Sequence, residues 1–312
     1  MERRDFLNLV AIGIGANQAS PGQTALAADS AGVFIERSVP GQPHRGKVFA
    51  LITPHLDDGP IFAGGTITKL LREGYIGYFI RTSNDEKDSY HRTLGETVLA
   101  NEQDADLLAK TIGLKAVFNL SYRNHRMDDV ARSEIRGRLI FLFRLLAVDT
   151  VLSYDPWGHY EENPDHYVSA QAVEAACWMA GGNLDFPEHF AAGLKPHSVT
   201  EKYYFARGPQ QVNRVVDVSS TMPGKLAAIR CCRTMIDHMV KDLNDSLAAK
   251  KLRIPALTGD SPRATNEFIQ NSFQARDRRI GARYGVEYAE EFHYIGPDQA
   301  LDDYISKNAV PL

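Results

Sequence analysis

Cysteine is scarce in this chain of 312 residues. Its three cysteines are Cys177, Cys231 and Cys232, two of them adjacent, so neither a disulfide framework nor a thiolate metal site can be read from their spacing. Any metal would have to be held by histidine and carboxylate. Long apolar runs are missing as well: no stretch approaches the roughly 18 to 20 apolar residues that a membrane span needs. Nor is there an excess of positive charge. Lys and Arg number 35 against 39 Asp and Glu, a net charge of -4, which offers no basic face for nucleic acid or anionic lipid. Nucleic-acid binding is therefore set aside. No internal repeat and no low-complexity segment is visible.

What is present suits a soluble mature protein with one large core, since 44% of the residues are hydrophobic and 24% charged. The first residues stand apart. Arg3 and Arg4 precede a modest apolar run at 7–14, and Ala25-Leu26-Ala27 supplies the small-x-small pattern preferred for cleavage. This is the pattern of a twin-arginine export signal. Residues 1–27 are expected to be a cleaved signal, with the mature protein in the periplasm, and they are left out of fold reasoning. The competing reading is an uncleaved tail. Gly13 and Gly15 lack the third glycine and the strand-helix setting of a dinucleotide loop.

From Lys47 onward, short β-branched or aromatic runs alternate with longer helical patterns, as in a parallel sheet covered by helices. Strands are predicted at 48–53, 76–82, 116–120 and 150–154, and helices at 63–72, 95–112 and 129–146. Val130, Ile135, Leu139, Leu142, Phe143 and Leu146 give the last of these an apolar face. Gly74 and Gly113 follow two helices where left-handed caps belong. A further helix is expected after Asp165 and another over 222–243, with added strands at 203–207 and 215–218.

Open α/β sheets bind ligands outside the carboxyl ends of their strands, so chemistry belongs in the turns that follow them. Two such turns are unusual. The first reads Thr53-Pro54-His55-Leu56-Asp57-Asp58-Gly59-Pro60, and the fourth strand is followed by Asp155-Pro156-Trp157, His159, Tyr160 and Asn163-Pro164-Asp165-His166. A histidine with two acids beside a buried strand loses solvation, and a metal ion is a good partner for it. His55 and Asp58 can converge from one tight loop, and His166 adds a second imidazole. Two histidines and one carboxylate suit catalytic zinc and also non-haem iron. Asp57 is left free beside them, where hydrolysis needs a base to take a proton from water.

These residues carry a resemblance. Pro54-His55-Leu56-Asp57-Asp58, Gly64-Gly65-Thr66, Asp155-Pro156-Trp157 and Asn163-Pro164-Asp165-His166 resemble, in order, the motifs of the PIG-L/LmbE family of zinc-dependent de-N-acetylases. The family pattern is a strand ending in His-Pro-Asp-Asp, a Gly-Gly-Thr helix start and a later Asp-Pro-Trp and His-Pro-Asp-His turn, and the match covers about 48–173. The resemblance implies a Rossmann-like α/β fold, mostly parallel, with helices on both faces. Residues 45–312 would form a single deacetylase domain, with its core at about 47–182 and a smaller C-terminal elaboration at about 183–312. It implies Zn2+ held by His55, Asp58 and His166, with Fe2+ the other candidate, and Asp57 as general base.

Asn163 stands where the family often has a histidine that is oriented by the acid two residues on, here Asp165, and that assists at the oxyanion or leaving group. An asparagine amide can donate a hydrogen bond but cannot deliver a proton, so Asn163 and His159 are both candidates for part of that work. Asp165 is also a candidate N-cap for the helix carrying His166. Gly59 replaces a frequent Glu, and Lys225 is followed seven residues on by Cys232 rather than His. Trp157 and Tyr160 are candidates for a stacking wall against a sugar ring, with core packing as the competing reading. Asn84 is a candidate for substrate hydroxyls. His91, His125, His189, His197 and His238 have no ligand spacing with these motifs.

The expected function is metal-dependent hydrolysis of an acyl group, in the first place acetyl, from an amide nitrogen of a small amino-sugar-like substrate. Two readings compete. A non-catalytic metal-containing carbohydrate-binding protein of the same fold is raised by Asn163, but it would have no need of Asp57. A phosphoesterase would ask for two metals or an Arg/Lys clamp, neither of which these turns supply.

Overall fold

The computed structural model describes residues 32–259 and 262–310, so the expected export signal lies outside the described residues. After a short first strand, β1 (Phe34–Glu36), the second, β2 (Val48–Thr53), is buried throughout. Val48, Ala50 and Ile52 pack into one core cluster, while Phe49 and Leu51 pack into another. Only a strand covered on both faces can bury every side chain in this way. The same alternation is seen at Phe79 and Ile80 of β3 (Ile76–Ser83) and at Val151 and Leu152 of β5 (Thr150–Tyr154).

The sheet order is β1-β7-β8-β6-β5-β2-β3-β4. β2, β3, β4 (Ala116–Tyr122), β5 and β6 (Glu201–Phe205) pair in parallel, as do β1 and β7 (Arg214–Asp217). β8 (Ala289–Ile295) runs antiparallel between β6 and β7. Residues beyond 182 therefore complete the same sheet.

One face is covered by α1 (Asp58–Arg72), α2 (Leu94–Ile112), α6 (Met222–Cys231), α7 (Arg233–Ala249) and α8 (Pro262–Ile269). The other is covered by α3 (Arg132–Leu146) and α4 (Pro164–Ala180). The predicted face of α3 is the buried one, with Ile135, Leu139 and Phe143 fully covered. Each such side chain contributes about 1.5–3 kcal/mol on burial. α5 (Glu188–Ala191), α9 (Ala275–Arg283) and α10 (Gln299–Asn308) complete the α-helices among the described residues.

Local signals explain the ends. Thr93 and Glu96 form a reciprocal capping box at the start of α2, and Gly113 closes it at φ 85°. Three details differ from the sequence reading. α1 begins at Asp58 rather than residue 63, so Gly64-Gly65-Thr66 lies inside the helix and does not start it. The expected helix over 222–243 breaks at Cys232, where φ is -79° and ψ is 55°, and its two parts pack differently: both touch α2 and α8, but α6 lies chiefly on α1. The reversed strand β8 was not anticipated.

Buried charge ties α1 to the later elements. Lys225 Nζ, wholly enclosed, lies 2.5 Å from Asp277 Oδ2 and 2.6 Å from Glu290 Oε1. Glu290 also accepts from the backbone N–H groups of Gly65 and Thr66. A side chain at Gly65 would meet Val218 Cβ at 2.5 Å, so glycine is what lets the chain just past β7 approach the helix.

Candidate metal centre

The first motif builds a strand end, a turn and a helix start from six residues. Thr53 Oγ1 donates to the His55 carbonyl at 2.7 Å, and the His55 backbone N–H donates to Asp58 Oδ2 at 3.0 Å. Asp57 is the N-cap of α1, yet its side chain makes no capping hydrogen bond. Gly59 answers to packing: a Cβ there would lie 2.4 Å from Leu51 Cδ2, so a larger residue would displace the core of β2.

The second motif follows β5. Asn163 is the N-cap of α4 and its Oδ1 accepts from the Asp165 backbone N–H at 3.0 Å. Asp165 is thus not the cap. Its side chain turns inward, where Oδ2 accepts from His125 N at 2.7 Å and lies 3.3 Å from His55 Nε2. The acid expected to orient residue 163 is engaged with His55 instead.

His55, Asp58 and His166 come together from 55–58 and from α4, all buried, with their ligand atoms within 4.8 Å of one another. His55 Nδ1 lies 3.1 Å from His166 Nε2 and 3.3 Å from Asp58 Oδ2. The opposite ring nitrogens each face a carboxylate, Asp165 for His55 and Glu161 Oε1, at 3.1 Å, for His166. Such partners orient metal-binding imidazoles. Tyr154 completes the wall: its hydroxyl donates to Asp58 Oδ1 at 2.6 Å, and its ring stacks on His166 at 4.2 Å. Two imidazole nitrogens, one carboxylate and a buried Asp57 Oδ1 without a hydrogen-bond partner among the described residues fit a divalent cation and a water beside it.

Burial and the neighbouring charges act differently on the four groups. Burial, and then the neighbouring Asp58, push the Asp57 carboxyl well above its usual range, against the pull of His55. Burial acts on Asp58 in the same direction, but His166, His55 and the Tyr154 hydroxyl outweigh it and hold that carboxyl low. His55 is raised despite its burial, because Asp165 and Asp58 favour its charged form. Burial lowers His166 in spite of Asp58 and Glu161.

The remaining candidates are placed less centrally. Asn163 Nδ2 lies 3.4 Å from His166 Nε2, so its amide does face the ligand set. His159 is exposed, and its backbone N–H is held by the Pro209 carbonyl. Tyr160 is 87% exposed and Trp157 is 53% exposed, its ring 5.5 Å from His293, so neither is a core residue. Asn84 is engaged within its own loop: its Oδ1 accepts from the backbone N–H groups of Glu86 and Asn124, and its Nδ2 donates to Glu86.

Tyr154, Glu161 and Arg207 were not singled out from sequence. Arg207 forks onto both oxygens of Glu161, and with His166 it outweighs burial and brings that carboxyl down to about 2. The only sequence signal was position, Tyr154 ending a strand and Glu161 lying between the two halves of the motif.

Comparison with known proteins agrees with the motifs. Residues 50–177 match the PIG-L family, GlcNAc-PI de-N-acetylase. The chain is 30% identical over 201 residues to diacetylchitobiose deacetylase of Thermococcus kodakarensis, covering 63% of this chain and 73% of that protein. Among solved structures, the N,N'-diacetylchitobiose deacetylase of Pyrococcus horikoshii superimposes with a TM-score of 0.65 at 22% identity, over 80% of this chain and 84% of that one. The 4-carboxy-2-hydroxymuconate hydratase GalB of Pseudomonas putida shares the fold with a TM-score of 0.59 at 18% identity, over 81% and 97%. The extent of the sequence match, taken with the ordered His55, Asp58 and His166 motifs, establishes that this chain belongs to the PIG-L family.

Proposed function

We propose that the protein hydrolyses the N-acyl amide, in the first place the N-acetyl group, of a small amino-sugar-like substrate, with zinc held by His55, Asp58 and His166. The observation that carries this reading is Asp57. It is buried beside His55, Asp58 and His166, its Oδ1 has no hydrogen-bond partner among the described residues, and its side chain does not cap the helix it begins. A sugar-binding protein needs no such group. A hydratase on the same fold shows that architecture alone does not select the reaction. The deacetylase activity named for the 30% identical relative supports hydrolysis.

When bound, the cation supplies Lewis acidity to the amide carbonyl and acidifies water. The chain does the rest. Asp57 takes the proton of the attacking water and passes it to the departing amine, a task suited to a carboxylate whose proton affinity is raised by burial. Asn163 Nδ2 donates to the developing oxyanion. Asp165, Glu161 and Tyr154 hold His55, His166 and Asp58 in place. No described helix is long and apolar enough to cross a membrane.

Metal analysis of purified protein, followed by acetate release from a panel of N-acetylated amino sugars, tests the proposal. Sugar binding with no turnover on any amide would favour the carbohydrate-binding reading. Export to the periplasm remains part of the proposal, supported by Arg3, Arg4 and Ala25-Leu26-Ala27. Mass spectrometry of the native N-terminus, expected near Ala28, tests it.

A further inference from the structure

Beside β6 and β8 lies a cavity of about 610 Å³ whose lining includes Arg207, Arg276, Arg279 and Arg283. Arg207 follows β6, and the other three are spaced i, i+3, i+7 along α9, one stripe of a helix. Four guanidinium groups converge in a protein whose net charge is -4.

Three of them already have a carboxylate partner: Arg207 has Glu161, Arg276 has Asp277 at 3.0 Å and Arg283 has Glu291. Glu290 is taken up by Lys225 at 2.6 Å and by the Gly65 and Thr66 backbone. Glu291 is shared between Arg283 at 2.7 Å and the Tyr284 hydroxyl at 2.8 Å. Arg279 is exposed and makes no hydrogen bond or ion pair with any described residue. Arg279 thus brings a positive charge with no carboxylate partner to a cavity already lined by guanidinium groups, and a bound anion would supply its counter-charge.

The cavity also shares a wall with the metal centre. Arg207 Nε donates to Glu161 Oε2 at 3.0 Å, and Glu161 is the partner of His166. Phe62, another lining residue, has its ring 5.9 Å from that of Tyr154, whose hydroxyl binds Asp58. Arg276 covers the Phe62 ring at 4.6 Å. A substrate whose amide reaches His166 therefore has a cationic cavity within one residue layer.

We propose that this cavity is an anion subsite for a phosphate or carboxylate group carried by the N-acylated substrate, gripped by Arg279 of α9 with Arg283 one turn further on in support. The inference rests on the hydrolase reading above. Planar guanidinium forks match the paired oxygens of both groups.

The test uses the metal-loaded full chain and three probes: N-acetylglucosamine, its 1-phosphate, and N-acetylmuramic acid, which carries a carboxylate. Binding is measured by calorimetry at low salt and acetate release in parallel. The expected result is that at least one anionic sugar binds about ten-fold or more tightly than the neutral one, the stronger of the two identifying the group. The double substitution Arg279→Gln with Arg283→Gln should cut that ratio at least five-fold with metal content unchanged. Equal binding of all three sugars, or an equal loss for neutral and anionic sugars in the variant, would overturn the subsite. Acetate released from all three without preference leaves hydrolysis standing and removes the subsite. Anion preference without acetate from any sugar does the reverse.

Discussion

Asp165 Oδ2 lies 3.3 Å from His55 Nε2, the ring nitrogen opposite the one that approaches His166 and Asp58. Asp165 is fully buried and also receives the backbone N–H groups of His125 and Met127, so its carboxylate is fixed before it meets the imidazole. A proton on Nε2 leaves the Nδ1 lone pair facing the ligand set.

Asp165→Asn is therefore expected to weaken metal binding about 10- to 100-fold while the fold persists, since the amide oxygen can still accept one of the backbone bonds. Chelator competition measures this. Unchanged metal affinity would mean that His55 does not depend on Asp165.

Replacing His55, Asp58 or His166 with Ala should each abolish stoichiometric metal, because each removes one of three protein ligands. Elemental analysis after gel filtration decides it. Tight one-to-one metal in all three variants would refute the centre.

Asp57→Asn should keep the metal and lose rate by about 10² to 10⁴-fold, the usual worth of a general base. Asn163→Ala should cost less, up to about 10² to 10³-fold if its amide serves the oxyanion. Acetate release by both variants, set against wild type, separates the roles. An Asp57→Asn enzyme as active as wild type would end the mechanism.

Lys225→Ala leaves Glu290 and Asp277 facing each other with almost no exposure and no cation between them. The expected loss is about 3–5 kcal/mol, measured by urea unfolding. A loss under about 1 kcal/mol would show that the ion cluster is not holding α6 to β8 and α9.

Glu36 gives a pH-dependent contribution. Burial raises its carboxyl, but Lys69 at 2.7 Å and Arg214 at 2.7 Å outweigh burial and lower it below 4.5. A depressed folded value means stability that is present above the unfolded value and lost as pH falls through the folded one. Glu36→Gln should cost about 1–3 kcal/mol at pH 7, and the difference from wild type should narrow steadily below about pH 4.5. A difference that does not change with pH would contradict the assignment.

The central strands and the clustering of His55, Asp58 and His166 were legible in the sequence because their physics is local. β2 is a nearly continuous apolar run and β5 a short β-branched and aromatic one, and each leads directly into a polar turn too costly to retain without a partner. His55 and Asp58 are three residues apart in one turn, so their convergence follows from chain geometry. The break at Cys232 was not legible, since an amphipathic pattern does not record a change of packing partner.

The sequence by itself determined the parallel α/β core and the residues His55, Asp57, Asp58 and His166, because strand period, turn and helix start are short-range properties. Only the tertiary structure decided that Asp165 serves His55 and not residue 163, and that Glu161 and Arg207 stand behind His166. It also decided that β8 runs in reverse and brings Glu290 to Lys225, and that arginines from α9 meet Arg207 in one cavity. Apart from Glu161 and His166, which are near neighbours in the chain, those contacts join residues 46 to 110 positions apart, and electrostatic attraction acts on distance in space, which a linear pattern of residue types does not encode.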